Sequence, residues 1–195
     1  MAVSEFFKPG YKILLASESP RRRELMSQRG LDLKIVDSVP CDEHIPDNLY
    51  REDIAVYLAE KKAESYIDIK EQEILITADT IVWINDKVLG KPVDYSDAFQ
   101  MLRLLSGKEH YVITGVCLKS NKKSKAFYVE TKVKFANLED DEIRHYIEKY
   151  KPYDKAGAYG IQEWIGKIGI EYIEGSYYNV VGLPVQKLYR ELLKF

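Results

Sequence analysis

The stretch Ile74–Leu89, ILITADTIVWINDKVL, decides how this chain folds. From Ile74 to Ile84 every residue is apolar except Thr77, Asp79 and Thr80. So long an apolar run, rich in β-branched side chains, predicts a buried strand interrupted chemically by Asp79. Asn85-Asp86 is a hairpin signal, because both residue types tolerate the left-handed backbone of a tight turn. Lys87–Leu89 is then a short returning strand, ended by Gly90-Lys91-Pro92.

Upstream, residues 51–66 read as a helix with Ala55, Leu58, Ala59, Lys62, Ala63 and Tyr66 on one face. Before it come a polar, acidic loop at Pro40–Asn48 and a strand over Asp32–Ser38, with Leu31, Leu33 and Ile35 alternating. Lys12–Ser17 is a first short strand. It runs into a helix opened by Ser19-Pro20, a serine cap followed by a residue suited to the first helical position, and closed at Gly30. Downstream, Asp94–Leu105 is an amphipathic helix stopped at Gly107, and Glu109–Leu118 and Lys125–Ala136 are strands about Asn121. Glu139–Tyr150 starts with acids, as the helix dipole favours, and Pro152 breaks it. Tyr153–Gln162 is punctuated by glycines, Ile168–Ile173 reads as a strand and Pro184–Leu193 as a final helix. Strands and helices mix without a strict βαβ repeat, so the expected class is α/β with a mixed sheet rather than a doubly wound parallel one.

The composition sets outer limits. The 195 residues suit one domain, and 46% hydrophobic with 31% charged residues excludes a disordered or collagen-like chain. Lys and Arg number 29 against 31 Asp and Glu, so a nucleic-acid-coating protein with a broad basic face is excluded, though a local cluster of cations is not. Two cysteines, Cys41 and Cys117, make neither a CxxC metal pair nor a disulfide framework, and reduced thiols are expected. No run approaches the ~20 apolar residues of a membrane span. The start of the chain has no signal-peptide pattern, so a cytoplasmic protein is expected.

Chemistry concentrates in a few places. Ser17-Glu18-Ser19-Pro20-Arg21-Arg22-Arg23 lies at a strand-to-helix junction, where free backbone N–H groups, hydroxyls and guanidinium forks suit a phosphate. Three arginines in a helix's positive first turn oppose its dipole, which disfavours a purely structural origin. Asp79, between Ile76 and Ile81, must face a solvent cleft, pair with a cation or bind a metal. Lys62 lies on an otherwise apolar helix face, Lys91 sits in Gly90-Lys91-Pro92, and Glu43 in the acidic Cys41-Asp42-Glu43 loop. Left to themselves, these three read as a snorkelling lysine and solvated charges. His44, His110 and His145 fall at no metal-ligand spacing, and no serine sits in a GxSxG elbow. The fifteen tyrosines read as packing. Cations, hydroxyls and carboxylates remain, the parts for handling a phosphate ester with a divalent metal.

In order along the chain, Leu15–Arg22, Ala78–Val82, Gly90-Lys91-Pro92, Leu105–Lys108, Thr114-Gly115-Val116, Tyr153–Gln162 and Asn179–Pro184 resemble the Maf family of nucleotide pyrophosphatases. The resemblance implies one domain over 1–195 with two lobes around a nucleotide cleft. Its fold would be an elongated mixed sheet flanked by helices, akin to the inosine triphosphate pyrophosphatases. It implies hydrolysis of a nucleoside triphosphate to the monophosphate and pyrophosphate, assisted by Mg²⁺ or Mn²⁺. Asp79 then looks like the proton acceptor for the attacking water. Ser17, Arg21, Arg22, Lys62 and Lys91 would hold the phosphates, and Glu43 would be an acidic partner and, with Asp79, a metal contact. Arg21, Thr80 and Gln162 match positions that set base specificity in the branch acting on dTTP and UTP, which Ala156–Gln162 also resembles. The Gln162 amide offers an acceptor and a donor side by side, matching N3–H and O4 of uracil or thymine, while Gly157 and Gly160 would let the backbone run close to a ligand. A small-molecule nucleotide is the expected partner, with no nucleic acid and no membrane, and an exposed strand edge could support a homodimer. Two alternatives stay open: a pyrophosphatase for methylated or other non-standard nucleotides, and a nucleotide-binding regulator of cell division that does not turn its ligand over.

Overall fold

A computed structural model describes residues 10–27 and 33–195. The expected helix end at Gly30 and the positions Leu31 and Asp32 lie outside the described residues. The strands are β1 (Lys12–Ala16), β2 (Leu33–Val36), β3 (Glu73–Ile84), β4 (Lys87–Leu89), β5 (Glu109–Lys119), β6 (Ser124–Phe135) and β7 (Ile170–Glu174). The helices are α1 (Pro20–Ser27), α2 (Glu52–Glu64), α3 (Tyr95–Leu105), α4 (Asp140–Tyr150), α5 (Trp164–Ile168), α6 (Tyr177–Val181) and α7 (Val185–Lys194). The sheet runs β2-β1-β3-β5-β6-β7, with β4 paired to β3. It is mixed: β1 is parallel to β2 and β3, whereas β4 is antiparallel to β3 and β7 to β6.

The chain packs as two compact units. The first comprises the described residues of Met1–Asp79 with Thr114–Val129 and Gly182–Phe195, and the second Thr80–Ile113 with Glu130–Val181. In the first, α2 presents Ala55, Ala59 and Ala63, all buried, at one residue per turn. Such small side chains let a helix lie close on a sheet, and Leu14, Leu75 and Cys117 complete that core. The buried Thr77 hydroxyl donates to Ala59 O at 2.6 Å, and Lys119 Nζ caps the end of α2 on Ala63 O (2.9 Å) and Tyr66 O (2.8 Å). Both polar groups are thereby satisfied at no loss of packing. Lys62, one residue before Ala63, is carried to the rim of this interface.

In the second unit Leu102, Leu105, Phe135, Ile143, Tyr146 and Tyr159 close around β3 and β6. Each fully buried leucine or phenylalanine there contributes roughly 1.5–3 kcal/mol. Asp94 caps α3 by accepting from Asp97 N–H at 2.8 Å, and α4 opens with a reciprocal capping box between Glu139 and Glu142. Asn85 and Asp86 both take positive φ, 50° and 57°, the turn the hairpin signal predicts.

One stretch differs from expectation. Ile168 is not in a strand but ends α5, and β7 begins only at Ile170. Helix α6 forms over Tyr177–Val181 although tyrosine and valine favour extended chain. A tertiary contact overrides local propensity there: the Nδ2 group of buried Asn179 donates to Val112 O and Thr131 Oγ1, each at 3.0 Å, and the Ser176 hydroxyl accepts from Asn179 N–H. Among the described residues no helix is long and apolar enough to cross a membrane.

Candidate active site

Strand β1 delivers Ser17, which is buried, to the start of α1. The Ser17 hydroxyl accepts from Ser19 N–H at 3.2 Å, and the Ser19 hydroxyl from Arg22 N–H at 3.4 Å. This is the helix cap that Ser19-Pro20 predicts. The three arginines then divide. Arg23 Nε donates to Ser17 O at 2.7 Å, so one of its donors is committed to the turn itself. Arg22 reaches away from its helix: Nε donates to Gly182 O at 2.7 Å and an Nη to Ala78 O at 2.8 Å. Its guanidinium therefore grips the backbone of β3 one residue before Asp79. Arg21 is half-buried on the same helix.

Asp79 follows five buried residues, Ile74–Ala78, and its side chain is only 16% exposed. Lys62 Nζ pairs with Asp79 Oδ1 and also lies 3.2 Å from Glu43 Oε1. Glu43 itself is exposed, on the irregular segment before α2, and that segment is tied down upstream. There the Tyr66 hydroxyl donates to Asp37 O and accepts from Val39 N–H at 3.2 Å. Burial is the largest single influence on Lys62 and acts to lower its pKa. The Asp79 charge, its hydrogen bond and the Glu43 charge together outweigh it, so the ammonium is held above its ordinary value. For Arg22 burial prevails over the attraction of Asp79, and its pKa is lowered. The first unit thus gathers Arg22, Lys62, Glu43 and Asp79 into one cluster of two cations and two carboxylates, with Ser17 and Arg21 on the turn and helix that carry Arg22.

Thr80, Lys91 and Gln162 belong to the second unit. Thr80 is half-buried on β3, and Lys91 is exposed just after β4. Gln162 is exposed at the third position of a turn closed by Glu163 N–H donating to Gly160 O at 3.0 Å. At the two glycines expected to admit a ligand, a side chain would also meet the protein itself. Gly157 takes φ +67° with the Val82 side chain 2.9 Å from where a Cβ would sit. At Gly160 a Cβ would stand 2.9 Å from Glu163 Cδ and 3.1 Å from Lys155 Cε. The sequence reading passed over Tyr66, Tyr146, Lys155 and Glu163. A tyrosine that pins a loop has the same local signature as one that packs, so no sequence signal distinguishes them.

As for a metal, no group of three or more His, Cys, Asp or Glu that could hold one occurs among the described residues. Glu43 and Asp79 nonetheless converge on one ammonium, offering an all-oxygen pair. Mg²⁺ and its like take one or two carboxylates and complete their shell with phosphate oxygens and water, so this pair fits such an ion once a substrate brings its phosphates.

Residues 12–195 match the family model described as Maf-like protein. A dTTP/UTP pyrophosphatase of Bacteroides fragilis is 56% identical over 183 residues, 93% of this chain and 95% of that protein. A protein of the same name from Parabacteroides distasonis is 54% identical over 186 residues, 95% of this chain and 96% of its own. Another from Phocaeicola vulgatus is 54% identical over 185 residues, covering 94% and 96%.

Proposed function

The chain belongs to the Maf family, and from that premise we propose that it hydrolyses dTTP and UTP to the monophosphate and pyrophosphate. The observation that carries the reading is the Lys62 ammonium placed between Asp79 and Glu43 beside the backbone that Arg22 grips. Asp79 accepts the proton of a water whose oxygen bonds to the α-phosphorus. The bridging oxygen leaves with the β-phosphate, so pyrophosphate carries off the electron pair. Lys62, which stays charged, neutralises the phosphates as they enter and holds the carboxylate in place meanwhile. Ser17, Arg21, Arg22 and Lys91 hold the phosphate oxygens, and Arg21, Thr80 and Gln162 read the base. Glu43 and Asp79 would hold the divalent ion, Mg²⁺ or Mn²⁺, which supplies charge neutralisation of the leaving pyrophosphate. The relatives named dTTP/UTP pyrophosphatase at 54–56% identity support the pyrimidine preference. The enzyme would act as a single domain with two lobes, in the cytoplasm and on free nucleotides, and an exposed strand edge could support a homodimer.

The test is a panel of nucleoside triphosphates with Mg²⁺ or Mn²⁺, scored for pyrophosphate against orthophosphate. Pyrophosphate released fastest from dTTP and UTP is the expected result. Faster hydrolysis of a methylated GTP would move the protein to another branch, and binding without turnover would make it a regulator.

A further inference from the structure

The turn that carries Gln162 is locked by a ring of hydrogen bonds. Gly160 N–H donates to the Tyr146 hydroxyl at 3.0 Å, the same hydroxyl donates to Glu163 Oε2, and Glu163 N–H returns to Gly160 O at 3.0 Å. Both ends of the turn are thus tied to one phenol on α4. The phenol cannot drift, because Tyr146 is fully buried and stacked on Tyr150 with ring centroids 5.1 Å apart. The other carboxylate oxygen, Glu163 Oε1, is held at 3.1 Å by Lys155 Nζ, which Asp154 Oδ1 also engages at 2.6 Å. Lys155 is itself buried, so Glu163 is anchored from both sides. Burial and the Glu163 carboxylate both push the Tyr146 phenol upward, keeping it a proton donor. Ile161, the other central residue of the turn, is buried, while Gln162 is exposed.

We infer that Tyr146 and Glu163 are positioning residues for Gln162, and that they set how strongly the enzyme distinguishes uracil and thymine from other bases. The inference rests on the reading of Gln162 as the base contact. An exposed glutamine on a loose turn would spend binding free energy on ordering its own backbone. On a turn already closed by the Tyr146–Glu163 ring, the Gln162 backbone is in place before the base arrives, and only the side chain remains to be ordered. A site of fixed donor and acceptor then penalises cytosine, which presents N3 as acceptor and N4 as donor where uracil presents the reverse.

The experiment measures kcat and KM for UTP and CTP, which share a sugar, in the wild type, Gln162→Ala, Tyr146→Phe, Glu163→Gln and Glu163→Ala. Tyr146→Phe removes one hydroxyl and should lower the UTP-to-CTP ratio of kcat/KM about fivefold, the weight of one lost hydrogen bond. The change should fall on KM for UTP more than on kcat. Glu163→Gln keeps an acceptor for the phenol and should retain more of the ratio than Glu163→Ala. Ile147→Val, in the core on the same helix, should lower the melting temperature yet keep the ratio. Where a variant turns over too little, thermal shifts with the α,β-imido analogues of UTP and CTP report the same discrimination. If Gln162→Ala collapses the ratio while Tyr146→Phe and Glu163→Ala keep it, the positioning role is overturned and the reading of Gln162 stands. A ratio lost equally in Ile147→Val also overturns the positioning role. A ratio unchanged in Gln162→Ala overturns the base contact beneath it.

Discussion

His110 makes the stability of the fold depend on pH in a calculable way. The residue is fully buried in the second unit, its Nε2 is 2.8 Å from the Tyr159 hydroxyl, and its ring meets Phe135 and Tyr159 edge-on. Nδ1 has no hydrogen-bond partner, so nothing nearby would welcome a second proton. Burial lowers its pKa from 6.5 to about 3. Between those values the unfolded chain binds a proton that the folded chain refuses, so stability falls as pH falls. The contribution is fully present above pH 6.5 and is lost toward pH 3. From pH 7 to 4.5 the loss amounts to about 2–3 kcal/mol, at up to ~1.4 kcal/mol per pH unit. For a chain of this length that corresponds to a fall in Tm of roughly 5–10 °C. The assay is calorimetric melting at closely spaced pH values, for wild type and His110→Gln. The variant lacks the titrating ring, so its Tm should decline distinctly less over the same window even if it starts lower. Parallel curves for the two proteins would show that His110 does not carry this pH dependence.

Asp79→Asn keeps the shape of the side chain and removes the base, so kcat should fall at least ~10²-fold while nucleotide binding, followed by calorimetry, largely survives. Lys91→Ala should lower kcat/KM for every triphosphate by about tenfold with little change in Tm, since the residue is exposed. Arg22→Ala should lower it similarly and also cost stability, because the backbone carbonyls of Ala78 and Gly182 lose their donor; melting curves separate the two. Glu191, buried on α7 and hydrogen-bonded to Lys125 and Lys187, has its pKa held down at about 2. Its contribution is present above about pH 4.5 and is lost as pH falls toward 2. Both lysines are half in water, so about 1–2 kcal/mol is expected, and Glu191→Gln should show that much less acid sensitivity in denaturant titrations.

What could be read from sequence was local. Ser19-Pro20 announces a cap because the hydroxyl that satisfies the helix start lies within three residues of its donor. Asn85-Asp86 announces its turn for the same reason. Asp79 could be told to need a cation, since an isolated carboxylate in an apolar strand is too costly. Which cation met it could not be told, as Lys62 looked like any snorkelling side chain until α2 was laid beside β3. Arg22 is the sharper case. Sequence made it a candidate phosphate fork, but its donors to Ala78 O and Gly182 O span 56 and 160 residues and exist only in the folded chain. The short helices α5 and α6 were invisible because five residues carry too little periodicity to read. The ring around Gln162 was hidden for both reasons together, being long-range and built from a tyrosine.

In the proposed reaction water attacks the α-phosphorus. Hydrolysis of dTTP in ¹⁸O-labelled water, with the products resolved by mass spectrometry, tests it most directly. Label is expected in the nucleoside monophosphate, with pyrophosphate unlabelled. Label in pyrophosphate, or release of labelled orthophosphate, would place the attack at the β- or γ-phosphorus and contradict it.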